Sequence, residues 1–220
     1  MIKFYLFDID GTLLDVFDQH IAAYKDAIQS LYNKSCNVED LTNSFGLPEE
    51  DCYREAVRSL NISPSQEEIK KLKELRSQSM IKRLSSLHED RLLPGVRKLL
   101  DFLSQQAQIG FITGNSSQVG KALLEFSGLN TYSKFSAFGD EIPTGEQRSY
   151  LIHQLLQQAN VNSDETWVIG DSVHDIIAAK EAGCVAVGVA TYKTGKDALI
   201  KAGADLAFAD CQEMYDSLQD

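Results

Sequence analysis

Asp8 and Asp10 fall two apart in Phe7-Asp8-Ile9-Asp10-Gly11-Thr12, and Asp171 and Asp175 fall four apart in Gly170-Asp171-Ser172-Val173-His174-Asp175. Two acids two positions apart on an extended chain face the same way, with α-carbons roughly 7 Å apart. Carboxylates gathered at one place repel one another unless a cation sits between them. A hard ion such as Mg²⁺, bound by one or two carboxylates together with a substrate phosphate, meets that need. Thr113-Gly114-Asn115 is a third polar cluster that closes an apolar run. Any one of these aspartates, or Thr113, is accounted for equally well as a cap on a turn or helix. The set, in this order along the chain, is not.

The chemistry depends on the elements that bring these residues together. Ile2 to Phe7 is a short, nearly continuous apolar run, which predicts a strand buried on both faces. From Asp18 to Leu87 the apolar residues recur at helical spacing, as in Ile21, Tyr24, Ile28 and Leu31 and again in Ile69, Leu72, Leu75, Ile81 and Leu84. Leu47-Pro48-Glu49-Glu50 and Ser63-Pro64-Ser65-Gln66-Glu67-Glu68 read as helix starts. After Leu93-Pro94-Gly95 the pattern alternates. Helices are predicted over 95–105, 117–127, 146–159, 173–182 and 194–201, and strands over 108–113, 134–138, 166–169, 184–189 and 205–208. Strands alternating with helices of this length mean βαβ units in an α/β fold, a doubly wound parallel sheet covered on both faces. Residues 1–17 and 89–220 are expected to form this core, with 18–88 as an inserted all-helical domain. In such sheets ligands bind beyond the carboxyl ends of the strands, which is where Asp8, Asp10, Thr113, Asp171 and Asp175 fall.

Composition narrows the partners. With 32 acidic and 21 basic side chains the net charge is -11, which argues against a broad nucleic-acid or anionic-membrane surface. No stretch approaches the ~18 apolar residues of a membrane span. The apolar run before Asp8 is too short for a secretory segment, and the four cysteines form no C-x-x-C pair and read as reduced thiols. The expectation is a cytoplasmic protein of open oligomeric state.

At these residues the chain resembles the haloacid dehalogenase superfamily, in its phosphatase branch with a helical cap, the branch of phosphoglycolate phosphatases and β-phosphoglucomutases. Asp8-Ile9-Asp10-Gly11-Thr12-Leu13 matches the first family motif, Thr113 the second, and Gly170-Asp171 through Asp175 the fourth, while 18–88 lies where the family inserts its cap. The resemblance implies that Asp8 is the nucleophile, forming an aspartyl-phosphate, and that Asp10 is the general acid and then the base. It implies that Asp171, one Asp8 oxygen and the Asp10 backbone carbonyl hold Mg²⁺, with Asp175 orienting from behind. Thr113 and the Gly114 amide would bind phosphate oxygens, helped by unpaired amides at the helix opening near Ser117. The family's third motif, a lysine, is missing. Spacing puts Glu146 in its place, and Arg148, expected in the first turn of the 146–159 helix, is the cation able to substitute. The cap would close over the site and select the substrate. The implied activity is Mg²⁺-dependent hydrolysis of a small phosphorylated metabolite. A sugar phosphomutase on the same site, or a regulatory protein on the same fold, is the alternative.

Two other chemistries fail on spacing. Gly114 to Gly120-Lys121 has five residues between its glycines where a nucleotide-binding loop has four, and Ala122 stands where that loop needs a hydroxyl. Ser172 as an esterase nucleophile needs a histidine base, and none of the four histidines follows position 174. His174 itself is expected at a surface or cap position.

Overall fold

In the computed structural model, residues 1–44, 49–88, 90–190 and 194–219 are described. The chain divides into two compact units, Met1–Asp15 with Asp90–Asp220 and Val16–Glu89. The first strand, β1 (Phe4–Asp8), is buried along its whole length.

The described elements of the Val16–Glu89 unit are helices: α1 (Phe17–Tyr32), α2 (Val38–Ser44), α3 (Glu49–Ala56) and α4 (Gln66–Leu84), with a short 3-10 turn at Arg58–Leu60. The helix start placed at Leu47 and Pro48 lies outside the described residues. α4 begins where Ser65 and Glu68 make a reciprocal capping box, each side chain satisfying the other's amide. Tyr24, Ile28, Leu41, Tyr53, Ile69 and Leu72 form this unit's own core. α1 and α4 are further tied by Asp26, which accepts hydrogen bonds from Ser79 Oγ at 2.5 Å and Arg83 Nη2 at 2.7 Å.

The chain then runs through α5 (Val96–Leu103), β2 (Gln108–Thr113), α6 (Ser117–Ser127), β3 (Phe135–Phe138), α7 (Ser149–Ala159), β4 (Thr166–Gly170), α8 (Val173–Glu181), β5 (Val185–Val189), α9 (Lys196–Lys201), β6 (Leu206–Phe208) and α10 (Cys211–Ser217). The six strands form one parallel sheet in the order β3-β2-β1-β4-β5-β6. Phe4 and Leu6 of β1, Leu151, Ile152 and Leu155 of α7 and Ile176 and Ala179 of α8 belong to one buried cluster. Each large apolar side chain buried there contributes about 1.5–3 kcal/mol.

Most boundaries fall within one or two residues of the sequence expectation, and three differences have a clear local cause. α7 begins at Ser149 instead of Glu146, because Gly145 takes a positive φ of 92° and the Glu146 amide closes a turn onto Pro143. α9 begins at Lys196 after Gly195, two residues later than expected. α10 was not anticipated: it has only seven residues, and Asp210 caps it by accepting the Glu213 amide at 2.8 Å. No helix among the described residues is long and apolar enough to cross a membrane.

Candidate active site

The strand order reverses beside β1, which runs between β2 and β4, so the crevice expected of such a sheet opens at the carboxyl ends of these three strands. Asp8 is the last residue of β1 and pairs with Ile112, which puts Thr113 one step beyond it on β2. Phe7 pairs with Ile169, so Gly170 stands level with Asp8 and Asp171 follows. A Cβ at Gly170 would stand on the Asp175 side chain, and only glycine leaves Asp175 its place. Beyond Asp8 the chain turns at Gly11, whose φ of 88° favours glycine and where a Cβ would lie 2.6 Å from Asp171 Oδ2.

Asp8, Asp171 and Asp175 each bring a carboxylate oxygen within 4.8 Å of the others. Asp8 is 6% exposed and Asp175 4%. The cation among them is Arg148, whose Nη2 lies 2.5 Å from Asp8 Oδ1 and 2.8 Å from Asp175 Oδ1. Asp175 Oδ2 is held separately, by the Ser172 hydroxyl at 2.6 Å and the Ser172 amide at 3.1 Å, in the capping box that opens α8. One guanidinium does not offset this much negative charge. Burial first, then the neighbouring Asp175 carboxylate, push the Asp171 carboxyl up to about 7. Burial and the same neighbour hold Asp8 well above the usual carboxylate range, although Arg148 pulls it down. For Arg148, burial favours the neutral form, but Asp175 and Asp8 outweigh it and hold the proton on more firmly than usual.

Asp10 is held differently. Its Oδ2 accepts hydrogen bonds from Thr113 Oγ1 at 3.1 Å and from Asn115 Nδ2 at 2.7 Å. Asn115 also gives its backbone amide and Nδ2 to Thr113 Oγ1, at 3.1 and 3.0 Å. Although they are two residues apart, Asp8 faces the Arg148 side and Asp10 the β2 side. Gly114 lies beside the guanidinium, where a Cβ would stand 3.7 Å from Arg148 Nη1.

Several expectations are corrected here. Arg148 occupies the N-cap position of α7, just ahead of the first turn, for the reason that the helix starts late. The amide at the opening of α6 is not free for an anion: Asp140 takes the Ser117 amide at 2.7 Å and the Ser117 hydroxyl at 3.0 Å. Asn115 was passed over, because an asparagine after Thr-Gly is indistinguishable in sequence from an ordinary turn residue.

The donor set suits a hard divalent cation. All three clustered side chains offer carboxylate oxygens, and the raised proton affinities of Asp8 and Asp171 mark a burial and crowding of negative charge that a bound ion would relieve. Asp10 is outside this cluster by its side chain, which leaves only its backbone carbonyl for the expected contribution.

An open parallel sheet with clustered acids and an arginine at its switch point defines a doubly wound α/β protein whose site is built to hold a cation. The model of the haloacid dehalogenase-like hydrolases matches residues 5–189. The chain belongs to that family. It is 28% identical over 193 residues, 87% of this chain and 84% of the other, to a phosphoglycolate phosphatase of Vibrio parahaemolyticus. It is 23% identical over 194 residues, 88% and 86% of the two chains, to the pyrophosphatase PpaX of Anoxybacillus flavithermus. Among solved structures, the β-phosphoglucomutase of Clostridium difficile superposes with a TM-score of 0.80 over 100% of this chain and 96% of that one, at 20% identity, which speaks to the fold alone.

Proposed function

We propose that this protein is a Mg²⁺-dependent phosphatase that hydrolyses a small phosphorylated metabolite through an aspartyl-phosphate on Asp8. The observation that carries the reading is the Asp8 carboxylate fixed at the end of β1 by Arg148, with Asp171 and Asp175 beside it. The names of the relatives, phosphoglycolate phosphatase and pyrophosphatase, point to a small anionic phosphate compound.

Asp8, one oxygen of which is oriented by Arg148, attacks phosphorus and forms a P–O bond to its carboxylate as the bond to the leaving oxygen breaks. Asp10, protonated, gives its proton to that leaving oxygen, so the alcohol departs neutral and Asp10 is left as a carboxylate. The carboxylate then takes a proton from the water that attacks the same phosphorus as the P–O bond to Asp8 breaks, which releases inorganic phosphate and returns Asp8 and Asp10 to their starting states. Thr113 turns its hydroxyl to a phosphoryl oxygen, and Arg148 offsets charge at Asp8 and on the phosphoryl group. Mg²⁺ held by Asp8, Asp171 and the Asp10 carbonyl would screen the nucleophile from the phosphate and spread its charge. Asp175 keeps Arg148 in place.

The test is phosphate release from a panel of phosphorylated metabolites with Mg²⁺, with Asp8→Asn as control, followed by stereochemistry at a chiral phosphorus. Two displacements give retention. Inversion, or release by Asp8→Asn equal to wild type, would overturn the reading.

A further inference from the structure

We infer that Asn115 is the positioning residue for the proton donor Asp10, holding Asp10 Oδ2 when Thr113 gives up its own bond to that atom; the inference rests on the reading of Asp10 as general acid. Two donors converge on Oδ2, Thr113 Oγ1 at 3.1 Å and Asn115 Nδ2 at 2.7 Å, and they differ in how firmly they are committed. A threonine hydroxyl has a single proton. Once that proton points to a phosphoryl oxygen, it no longer points to Asp10. Asn115 carries two protons on Nδ2, one directed to Asp10 and one to Thr113 Oγ1, and donating to Thr113 leaves the hydroxyl proton able to turn. The orientation of the amide is dictated by its surroundings, since the opposite one would set its oxygen against the Asp10 carboxylate.

Asn115 is itself well fixed. It is 8% exposed, its backbone amide donates to Thr113 Oγ1, and its carbonyl accepts the Gly139 amide at 2.8 Å. The side chain therefore projects from a segment anchored at the ends of β2 and β3, and the shorter of the two bonds to Oδ2 is the one that persists through substrate binding. With Oδ2 so held, the proton passes through Oδ1, and the carboxyl group keeps one orientation as it goes from acid to base. The balance of the step is unchanged: the proton leaves Asp10 for the leaving oxygen and is regained from water.

The consequence shows in the leaving group. An alkoxide must be protonated as it departs, whereas p-nitrophenolate leaves unprotonated, so in forming the aspartyl-phosphate a misplaced acid harms only the first; kcat/KM, which ends at departure of the leaving group, reads that step apart from the later attack of water, where Asp10 is the base for both substrates. Asn115→Ala and the near-isosteric Asn115→Leu are expected to lower kcat/KM on an alkyl phosphate about 10- to 100-fold, the worth of a hydrogen bond to a charged group. On p-nitrophenyl phosphate the loss in kcat/KM should stay within about 3-fold. Asp10→Asn, measured on both substrates, supplies the reference, and adding Asn115→Ala to it should cost almost nothing more, since the two act as one unit. Equal losses on both substrates, full additivity with Asp10→Asn, or wild-type turnover on the alkyl ester would each overturn the assignment of Asn115. If Asp10→Asn itself shows no preference between the two substrates, the general-acid reading of Asp10 fails instead. Should Asn115→Ala not fold, Asn115→Leu and Asn115→Ser, the second keeping a hydroxyl donor that restores alkyl turnover in part, decide the matter on the same two substrates.

Discussion

Replacing Asp171 by Asn should stabilise the metal-free protein, and the gain should grow with pH. Burial and Asp175 push the Asp171 carboxyl from 3.8 up to about 7 in the folded chain. Between those two values the folded protein keeps a proton that the unfolded chain has already released. Stability therefore falls as pH rises through this window and levels off above it. A shift of about 3 pH units at about 1.4 kcal/mol each is worth about 4 kcal/mol. Partial solvent access and sharing of the proton with Asp8 and Asp175 reduce the expected figure to about 2–4 kcal/mol. The carboxylates shifted the other way, such as Asp26 and Asp205, add stability as pH rises but complete their contribution by about pH 5, so the range from pH 5 to 8 isolates the acidic cluster. Urea unfolding in the presence of a chelator, wild type against Asp171→Asn at half-unit steps, measures the gap directly. It should widen from no more than about 1 kcal/mol at about pH 4.5 to about 2–4 kcal/mol at pH 8. In the wild type, saturating Mg²⁺ should restore about 2.7 kcal/mol at one hundred times its dissociation constant, and it should restore much less in the variant. A gap that is absent at pH 8, or that narrows as pH rises, would refute the claim that burial and the neighbouring carboxylates disfavour charge at Asp171 in the folded state.

Three further outcomes follow from the same geometry. Arg148→Met should lower kcat about 10²- to 10³-fold by removing the cation at Asp8, and Arg148→Lys should recover only part of it, as steady-state phosphate release will show. Gly170→Ala should cost about 1–3 kcal/mol in denaturant unfolding and weaken Mg²⁺ affinity in calorimetry, because the new methyl displaces Asp175. Asp140→Ala should cost about 1 kcal/mol of stability through the lost cap on α6 and leave phosphate release within about 3-fold of wild type, because Asp140 is committed to Ser117.

The sequence carried the parts of this arrangement that are local. β1 is an unbroken apolar run closed by Asp8, and α6 lies between a serine N-cap and Gly128, whose φ is 74°, so strand-end acids and helix bounds could be read from neighbours alone. The partnerships were not local. Asp140 reaches Ser117 from 23 residues away, and Arg148 reaches Asp8 across 140. No periodicity encodes either. Arg148 came into view only through a missing lysine, and its position ahead of the helix depended on the backbone at Gly145. The seven-residue α10 gave one usable signal, Asp210 followed three residues later by Glu213, which is the spacing of a capping box and was open to reading.

The identity of the cation at position 148 matters because of what it must span. A single nitrogen of its guanidinium meets carboxylates from the end of β1 and the first turn of α8, while the backbone belongs to the start of α7. Asp175 gives one oxygen to this nitrogen and the other to Ser172, so its carboxylate is fixed from both sides. A compact, strongly hydrated ammonium could supply the charge, but it lacks the planar, weakly hydrated fork that makes arginine suited to buried ion pairs. Even with this arginine in place, four aspartates at the strand ends leave a formal excess of three negative charges. The resulting cost of burial and repulsion together, a few kcal/mol by the Asp171 argument, is comparable to the burial of one or two large apolar side chains in the sheet below. The apolar length of β1 and the helices packed on it thus allow the acids to remain together before any cation arrives, a local instability of the kind expected where activity requires it.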